Sequence, residues 1–427
     1  MDQTEIINTK LTKELVEELA FQNNEPDWLR SNRLLAFQKF ENSPMPFSKR
    51  IDYSHLQLEN LSQLVNSDVV TVSKNEYFKN KIINQVFEKY STYVIANEVK
   101  KKHVILSDMN SAVQNHPELL KQYLLAASPI TKNNKFDFLN RALWNGGTFL
   151  YIPKNIQTDI PLLSLFTFNK DNSYALPYNL IILEEGSKVT LIDSIISSDF
   201  ENDSLVSNNV DIILGANAKL DYIGVQETGK NVNHFATKRA FLKRDASLNW
   251  IEITLGSKLS KNNLDVQLEH KGAEAFVSGL FLAGKDQQFE FNTTQMHAAP
   301  HTKSDLLFVG ALRENARTNY EGIIKVEKGA QKTDAYQKNK NLLLSKNARA
   351  DSEPLLEIEA NDVRCTHGAT VGPVDKEDLF YLMSRGIEKE LAKKLLIFGF
   401  FSKVVEKIPV EEFKNGLQSY IEESVTA

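Results

Sequence analysis

The sequence predicts a mainly β protein with flanking helices: a right-handed parallel β-helix core, an N-terminal α/β region and a C-terminal helical region. Apolar residues between about 145 and 365 come in short alternating runs such as Leu220 to Val225, which are typical of strands. Turn residues follow these runs at a nearly constant spacing, and both chain ends carry helical spacing instead. We expect three regions, at 1–142, 143–373 and 374–427.

The turns carry a weak internal repeat. Each turn begins with a residue that tolerates a positive φ, and the separations between them are 31, 28, 27 and 57 residues, the last about twice the unit. A constant period of this size is the signature of stacked coils. The turns are Gly186-Ser187, Asn217-Ala218, Asp245-Ala246, Gly272-Ala273 and Gly329-Ala330.

The N-terminal region begins with helices. Residues 4–23 have helical spacing, Pro26 starts a second helix, and Pro44 and Pro46 end it. Strand-like and helical runs then mix up to about residue 142. The predicted elements are strands at Val69 to Val72 and Val104 to Leu106, a helix capped by Ser107 or Asp108, and another helix from Pro117.

The C-terminal region is helical. Asp375 is predicted to cap a short helix that ends at Arg385-Gly386, and a longer helix should cover about 388–408 before Pro409. Its apolar residues are broader than one stripe, so more than one side should be covered. The ordinary explanation is that these helices cap the end of the solenoid.

The stretch Asn361 to Gly386 holds the only cysteine, Cys365, with His367 two residues later. Residues i and i+2 of a strand share a face, so the thiol and the imidazole should lie side by side, as two ligands of one soft metal would. The alternative is a buried cysteine that acts as a small hydrophobe.

Two segments match the start of a phosphate-binding loop, Gly224 to Lys230 and Gly279 to Lys285. Asn231 and Asp286 stand where a Ser or Thr hydroxyl should coordinate Mg²⁺, and no convincing helix follows. We interpret both segments as turns of the solenoid.

His297 and His301, with Glu290 upstream, suggest a metal site only superficially. Pro300 lies between the histidines, and a strand separates residues four apart too widely for easy chelation. Core or solvated histidines are the favoured interpretation.

The composition excludes several classes of protein. A formal net charge of -5 argues against a nucleic-acid binder that relies on a basic surface. The polar start lacks a signal peptide, and no apolar run approaches the ~18 residues needed to span a bilayer. One cysteine cannot form an internal disulfide. We therefore expect a cytoplasmic protein with neither nucleic acid nor a membrane as partner.

The residues from Cys365 to Gly372, followed by Leu379 to Ile387, resemble the signature of the SufB/SufD family, specifically its SufD branch, from the SUF iron–sulfur cluster assembly system. The likeness covers nearly the whole chain. It is strongest between Arg313 and Phe401 and weaker before Trp144.

This resemblance implies a β-helix scaffold that is not an enzyme and that builds iron–sulfur clusters with SufB and the ATPase SufC. His367 matches the histidine that faces the nascent cluster at the SufB–SufD interface, and Cys365 matches its neighbour. The assembly cysteine that SufB carries near Lys340 to Leu343 is absent here, which favours SufD. No tightly bound cofactor is expected on the chain alone, and a homodimer of the isolated chain stays open.

The resemblance also implies that the C-terminal helices dock the SufC-like ATPase, and their excess of apolar residues agrees with a partner surface. The predicted docking residues are Phe380, Met383, Arg385, Leu395, Phe398 and Phe401.

Two rival functions are retained. One is a purely structural partner of an ABC-type ATPase, with no ligand at Cys365 or His367. The other is a carbohydrate-active β-helix enzyme, which would need paired carboxylates or a calcium site along one face, and the sequence has no clustered acidic motif of that kind.

Overall fold

The computed structural model describes residues 11–56, 58, 63–64, 102–126 and 134–426. The predicted strand at Val69 to Val72 and the first residues of the predicted helix at 4–23 lie outside these residues. Within them the chain is mainly β, with helices before and after a parallel β-solenoid.

Within the described residues five helices precede or flank the first coils, and several of their ends agree with the sequence signals. Thr12 caps the first helix by accepting a hydrogen bond from the Leu15 amide, and Asp108 caps the third by accepting one from Ser111. The second helix starts after Pro26 and stops at Ser43. The helices are α1 (Lys13–Gln22), α2 (Asp27–Asn42), α3 (Met109–Asn115), α4 (Pro117–Ala126) and α5 (Lys135–Leu143).

Two sheets form the solenoid. Sheet A contains, in spatial order, β2 (Ile105–Asp108), β3 (Thr148–Ile152), β6 (Tyr178–Leu183), β8 (Ser204–Leu214), β10 (Val232–Leu242), β12 (Leu259–Leu268), β14 (Gln288–His297), β16 (Arg317–Val326) and β18 (Arg349–Ile358). The short β5 (Ser173–Ala175) also pairs with β8, and the short β1 (Gln63–Leu64) pairs with β5. Sheet B contains β4 (Leu162–Phe168), β7 (Lys188–Ser197), β9 (Lys219–Glu227), β11 (Ser247–Thr254), β13 (Glu274–Ala283), β15 (Lys303–Leu312), β17 (Asp334–Leu343) and β19 (Arg364–Pro373).

The chain alternates between the two sheets, so each coil contributes one strand to each. Successive sheet-B strands from β7 onward begin at residues 188, 219, 247, 274, 303, 334 and 364. Among the strands that the structure describes, all pairings between coils are parallel, and only β2 pairs antiparallel, with β3. The predicted parallel β-helix is confirmed.

The turns before sheet B explain the repeat. Gly186, Asn217, Asp245 and Gly272 have φ between 56° and 76°, and each lies two residues before a sheet-B strand. The prediction for Gly329 is wrong in detail. The connection from β16 to β17 is longer, so Lys332, with φ 63°, takes the equivalent position.

Each of the two glycine–lysine segments runs from a sheet-B strand into a solenoid turn, and its lysine lies in that turn, as predicted. Lys230 lies between β9 and β10, and Lys285 lies between β13 and β14, so a strand follows each of them. Neither presents the helix N-terminus that a phosphate would need.

Helices cover both outer faces of the solenoid. Leu139 of α5 and Leu205 and Phe235 of sheet A share one apolar cluster outside that sheet. Outside sheet B, residues such as Ile223 and Ile251 pack against the C-terminal helices. Those helices are α6 (Lys376–Ser384), α7 (Lys389–Val405) and α8 (Glu411–Thr426). Of these, α7 and α8 lie along the side of the solenoid and not across its end, which corrects the cap expected from the sequence.

Buried ion pairs hold α5 on sheet A. Arg239 contacts Asp137 at 2.7 Å, and Arg141 contacts Asp211 at 3.0 Å, with both carboxylates fully buried. Because breaking such a pair leaves an uncompensated buried charge, this contact fixes the helix firmly.

Residues 50–55, which we call the strap, run along the outer face of sheet A from the last coils towards the middle ones. The strap makes polar contacts with several strands in turn. Arg50 donates to Asn319 of β16 at 2.8 Å, Tyr53 donates to Glu290 of β14 at 2.6 Å, and His55 lies 3.3 Å from Asn233 of β10.

Candidate functional site

Cys365 and His367 lie on β19, the last strand of sheet B. In the parallel register Cys365 is opposite Ala335 and His367 is opposite Gln337. Ala335 and Gln337 are buried inside the solenoid, and partners in a parallel ladder point to the same side. Cys365 and His367 are therefore on one face, as predicted, and that face is the interior one.

The interior is open at this end, which makes the two side chains accessible. Within the described residues the chain passes from β19 directly into α6, so no further coil stacks on β18 and β19. His367 is exposed, whereas Cys365 is half-buried against the apolar cluster around Ile324 and Ala335. We call the surface formed by β18 and β19 the open end.

The open end has the features of a contact surface. Both of its strands have one unpaired edge, and Leu355, Ile358 and Val371 are each about 40% exposed. Unpaired strand edges with apolar side chains readily pair with another chain.

The Cys365 thiol is not activated. Burial, and secondarily the negative charge of Asp334, raises its pKa above the ordinary value for a thiol. Since the thiolate is the form that binds metals, Cys365 is a poor ligand until a metal or a partner changes its surroundings. Among the residues that the structure describes, no group of three or more His, Cys, Asp or Glu is placed to hold a metal ion. Cys365 and His367 would thus be two ligands of a site completed from elsewhere.

A buried ion pair in the middle coils could not be foreseen from the sequence. Lys238 of β10 donates to Glu252 of β11 at 2.7 and 2.9 Å across the interior, and Trp250 Nε1 donates to the same carboxylate at 3.0 Å. Gly224 leaves room for them, because a Cβ there would lie 2.5 Å from Glu252 Oε2. The only sequence signal was this glycine, in the phosphate-loop-like segment.

The two histidines near Pro300 are separated by the fold. His297 is buried and its ring nitrogens lie 2.8 Å from the hydroxyls of Thr302 and Ser304, while burial lowers its pKa to about 4. His301 is exposed in a left-handed turn position with φ 59°. The interpretation as core and solvated histidines is confirmed.

The C-terminal helices present an apolar surface, which we call the helical patch. It comprises Phe380, Tyr381 and Met383 of α6 and Leu391 and Leu395 of α7, which are 42–72% exposed. No residue of α6 is buried, and Arg385 at its end lies over the Tyr381 ring.

Two of the predicted docking residues differ from that surface. Phe401 is fully buried against sheet B, and Phe398 is half-buried. The excess of apolar residues in α7 led to the prediction that both residues lie on the surface. In the structure the outer face of sheet B covers much of that helix.

Comparison with known families agrees with this architecture. Residues 166–400 match the family described as "SUF system FeS cluster assembly, SufBD core domain", and residues 15–163 match the "SufBD protein N-terminal region". Fold and matches together define a class, the proteins of iron–sulfur cluster assembly. The chain belongs to the SufBD family.

Relatives over almost the whole length support the same assignment. An "Iron-sulfur cluster assembly SufBD family protein" of Staphylococcus aureus (strain MRSA252) is 30% identical over 421 residues, which is 94% of this chain and 90% of the relative. One of Staphylococcus saprophyticus has the same identity and coverage. The domain boundaries predicted from the sequence at 142 and 373 stay predictions.

No helix within the described parts of the chain is long and apolar enough to cross a membrane.

Proposed function

We propose that this chain is the SufD-type scaffold subunit of a cytoplasmic complex that assembles iron–sulfur clusters, together with a SufB-like subunit and a SufC-like ATPase. The observation that carries the proposal is the placement of Cys365 and His367 side by side on the interior row of the open end. A nascent cluster would be built where a partner covers this end, with iron and sulfide as cargo of the complex.

The absence of a cysteine from β17 supports the SufD-type role. Cys365 is the only cysteine of the chain, and the segment Lys340 to Leu343, where a SufB-type assembly cysteine would stand, has none. With two candidate ligands, this chain would complement a partner that supplies the remaining ones.

The open end is the proposed contact for the SufB-like subunit. Its unpaired strand edges can extend both sheets into a partner, and Leu355, Ile358 and Val371 would be covered. In the isolated chain a second copy could occupy the same surface, so a homodimer should compete with the heterodimer.

The test is co-purification of the three subunits, followed by iron and sulfide analysis. His367→Ala should lower the iron and sulfide content without changing subunit assembly, because it removes an imidazole nitrogen that can ligate iron. His301→Asn is the matched control, since this histidine is also exposed but lies at a turn remote from β19 in the sequence. Wild-type iron and sulfide content in the complex with His367→Ala would contradict the assignment of His367 to the cluster site.

The helical patch is the proposed docking surface for the SufC-like ATPase. Its five residues are apolar and exposed, they lie on two helices in contact, and large patches of this kind usually mark interaction sites. Phe380→Glu and Leu395→Glu should weaken binding in calorimetry, whereas Phe21→Glu, at an N-terminal residue that is 85% exposed, should not. Equal thermal unfolding of the three variants would exclude misfolding, and unchanged affinity would reassign the helices to covering sheet B.

ATP hydrolysis is assigned to the partner and not to this chain. Lys230 and Lys285 lie in turns between strands, without the hydroxyl or helix of a phosphate loop. Steady ATP turnover by the purified chain that Lys230→Ala or Lys285→Ala abolished would contradict this assignment.

A further inference from the structure

Gln337, on β17, is a buried polar residue whose hydrogen bonds are missing. It is fully buried, and neither its amide nitrogen nor its amide oxygen has a hydrogen-bond partner among the residues that the structure describes. An amide that loses its water on folding and gains no partner destabilises the protein. Such a group calls for an explanation, and one explanation is a partner that arrives later.

The space around this amide is left open by a glycine on the opposite sheet. A Cβ on Gly322 of β16 would overlap both Gln337 Nε2 and the Tyr320 hydroxyl. Tyr320 has a partner of its own, since its hydroxyl lies 2.9 Å from Thr293 Oγ1. The recess therefore contains one satisfied hydroxyl and one unsatisfied amide.

The amide of Gln337 lies next to the open end, in the same interior row of side chains as His367. Gln337 and His367 are register partners on the interior side of neighbouring strands, which lie about 4.8 Å apart. At that spacing an amide can reach a neighbouring imidazole directly. The residue under Cys365 is Ala335, which has no polar side-chain atom, so the amide lies under the histidine alone.

We propose that Gln337 is a positioning residue for His367, an inference that rests on the proposed role of His367 at the cluster. When a partner covers the open end, Gln337 Oε1 accepts a hydrogen bond from one ring N–H of His367, and the other ring nitrogen faces the iron. Covering the end removes water from the imidazole, so its N–H then needs a protein acceptor. Histidines that ligate metals nearly always donate their second N–H to such an acceptor, which fixes the ring and its tautomer.

The experiment uses the complex of this chain with its SufB-like and SufC-like partners, titrated with Fe²⁺ and sulfide without oxygen. Gln337→Leu should weaken the apparent iron affinity about 10-fold, the usual effect of losing an outer hydrogen bond to a ligand. Gln337→Glu keeps an acceptor at the same place and should restore most of the affinity. The absorption spectrum of the cluster should change in Gln337→Leu and return in Gln337→Glu.

A stability measurement separates positioning from a structural role. Gln337→Leu removes an unpaired buried amide, so the isolated chain should unfold at the wild-type temperature or above it. A lower unfolding temperature, with no rescue of iron affinity by Gln337→Glu, would assign Gln337 to the core and overturn the inference.

The variants also separate the two proposals. Wild-type iron affinity in Gln337→Leu, with His367→Ala impaired, would overturn the role of Gln337 and keep that of His367. Wild-type loading by His367→Ala would overturn both.

Discussion

In the middle coils, Lys238, Glu252 and Trp250 form a closed network in which the carboxylate receives three hydrogen bonds and both charges are almost fully buried. In the last coils, Gln337 is equally buried but has no partner within the described residues, and His367 beside it is exposed. Both regions are polar, and both have a glycine opposite that leaves room for the polar groups. The middle network is complete in the single chain. At the open end, we propose that a partner subunit completes the polar contacts.

The largest effect should follow from opening the middle network. Lys238→Met leaves the Glu252 carboxylate buried without its counter-charge, which should cost about 3–5 kcal/mol of unfolding free energy. Adding Glu252→Gln should recover much of it, because no isolated charge then stays buried. Denaturant unfolding measures both variants.

The control for that prediction is Lys154→Met, which breaks an ion pair with Glu185 whose side chains are 60% and 47% exposed. It should cost less than about 1 kcal/mol. A comparable loss in Lys154→Met and Lys238→Met would remove the contrast between a closed interior network and an ordinary ion pair.

The two glycines should respond differently to an added methyl group. Gly224→Ala places a Cβ 2.5 Å from Glu252 Oε2 and 2.7 Å from Lys238 Nζ, and should cost about 1–3 kcal/mol as the network is forced apart. Gly322→Ala should cost less, because its Cβ would disturb only the neutral hydrogen bond between Tyr320 and Thr293 and the unpaired Gln337 amide, with no buried ion pair to force apart. Equal losses in thermal unfolding would mean that both recesses are simply tightly packed.

The buried and hydrogen-bonded His297 should also make the free energy of unfolding depend on pH. Burial lowers the pKa of His297 to about 4, below the unfolded value of about 6.5, so the unfolded chain binds the proton first. This contribution is complete above pH 6.5 and is lost as the pH falls towards 4.

Wild-type protein should therefore lose roughly 1 kcal/mol more than His297→Gln between pH 7 and pH 5.5. Urea unfolding at the two pH values gives the difference. Parallel losses in the two proteins would show that His297 titrates normally in the fold.

The smallest effect is expected at the open end itself. Burial and the charge of Asp334 raise the pKa of Cys365, so alkylation at pH 7.5 should be slower than that of a free thiol. Asp334→Asn removes the second cause and should speed alkylation about twofold. A faster reaction than that of a free thiol would indicate an activated cysteine. The open end would then hold a reactive group in the single chain, contrary to the comparison with the middle coils.

The sequence predicts the solenoid through its turns, because a left-handed position selects Gly, Asn or Asp at Gly186, Asn217 and Asp245. Lys332 could not be predicted in this way, because a lysine gives no indication of a positive φ. The side-by-side placement of Cys365 and His367 follows from alternation alone. Their inward direction does not, because it depends on the register with Ala335 and Gln337 in β17.

Contacts between the two sheets are harder to foresee. Lys238 and Glu252 are 14 residues apart and meet only because each faces the interior from a different sheet. The position of the C-terminal helices has a signal in the sheet-B strands. Consecutive apolar residues such as Ile195 and Ile196 indicate a parallel strand buried on both faces, and the outer face of sheet B must then be covered.

The strap connects coils that are not neighbours, through its contacts with β16, β14 and β10. From β10 to β16 there are three strand spacings, about 14 Å, and the six residues from Arg50 to His55, five residue-to-residue steps, could span about 17 Å if fully extended. The strap covers these coils with a turn at Ser54 and His55, where the Leu56 amide donates to the Tyr53 carbonyl at 3.2 Å. In most solenoids each repeat contacts only its neighbours, so whole repeats are gained or lost during evolution with little penalty. Here an extra coil between Asn233 and Asn319 would move the two end contacts of the strap about 4.8 Å further apart, so the number of coils and a segment outside the repeat must change together.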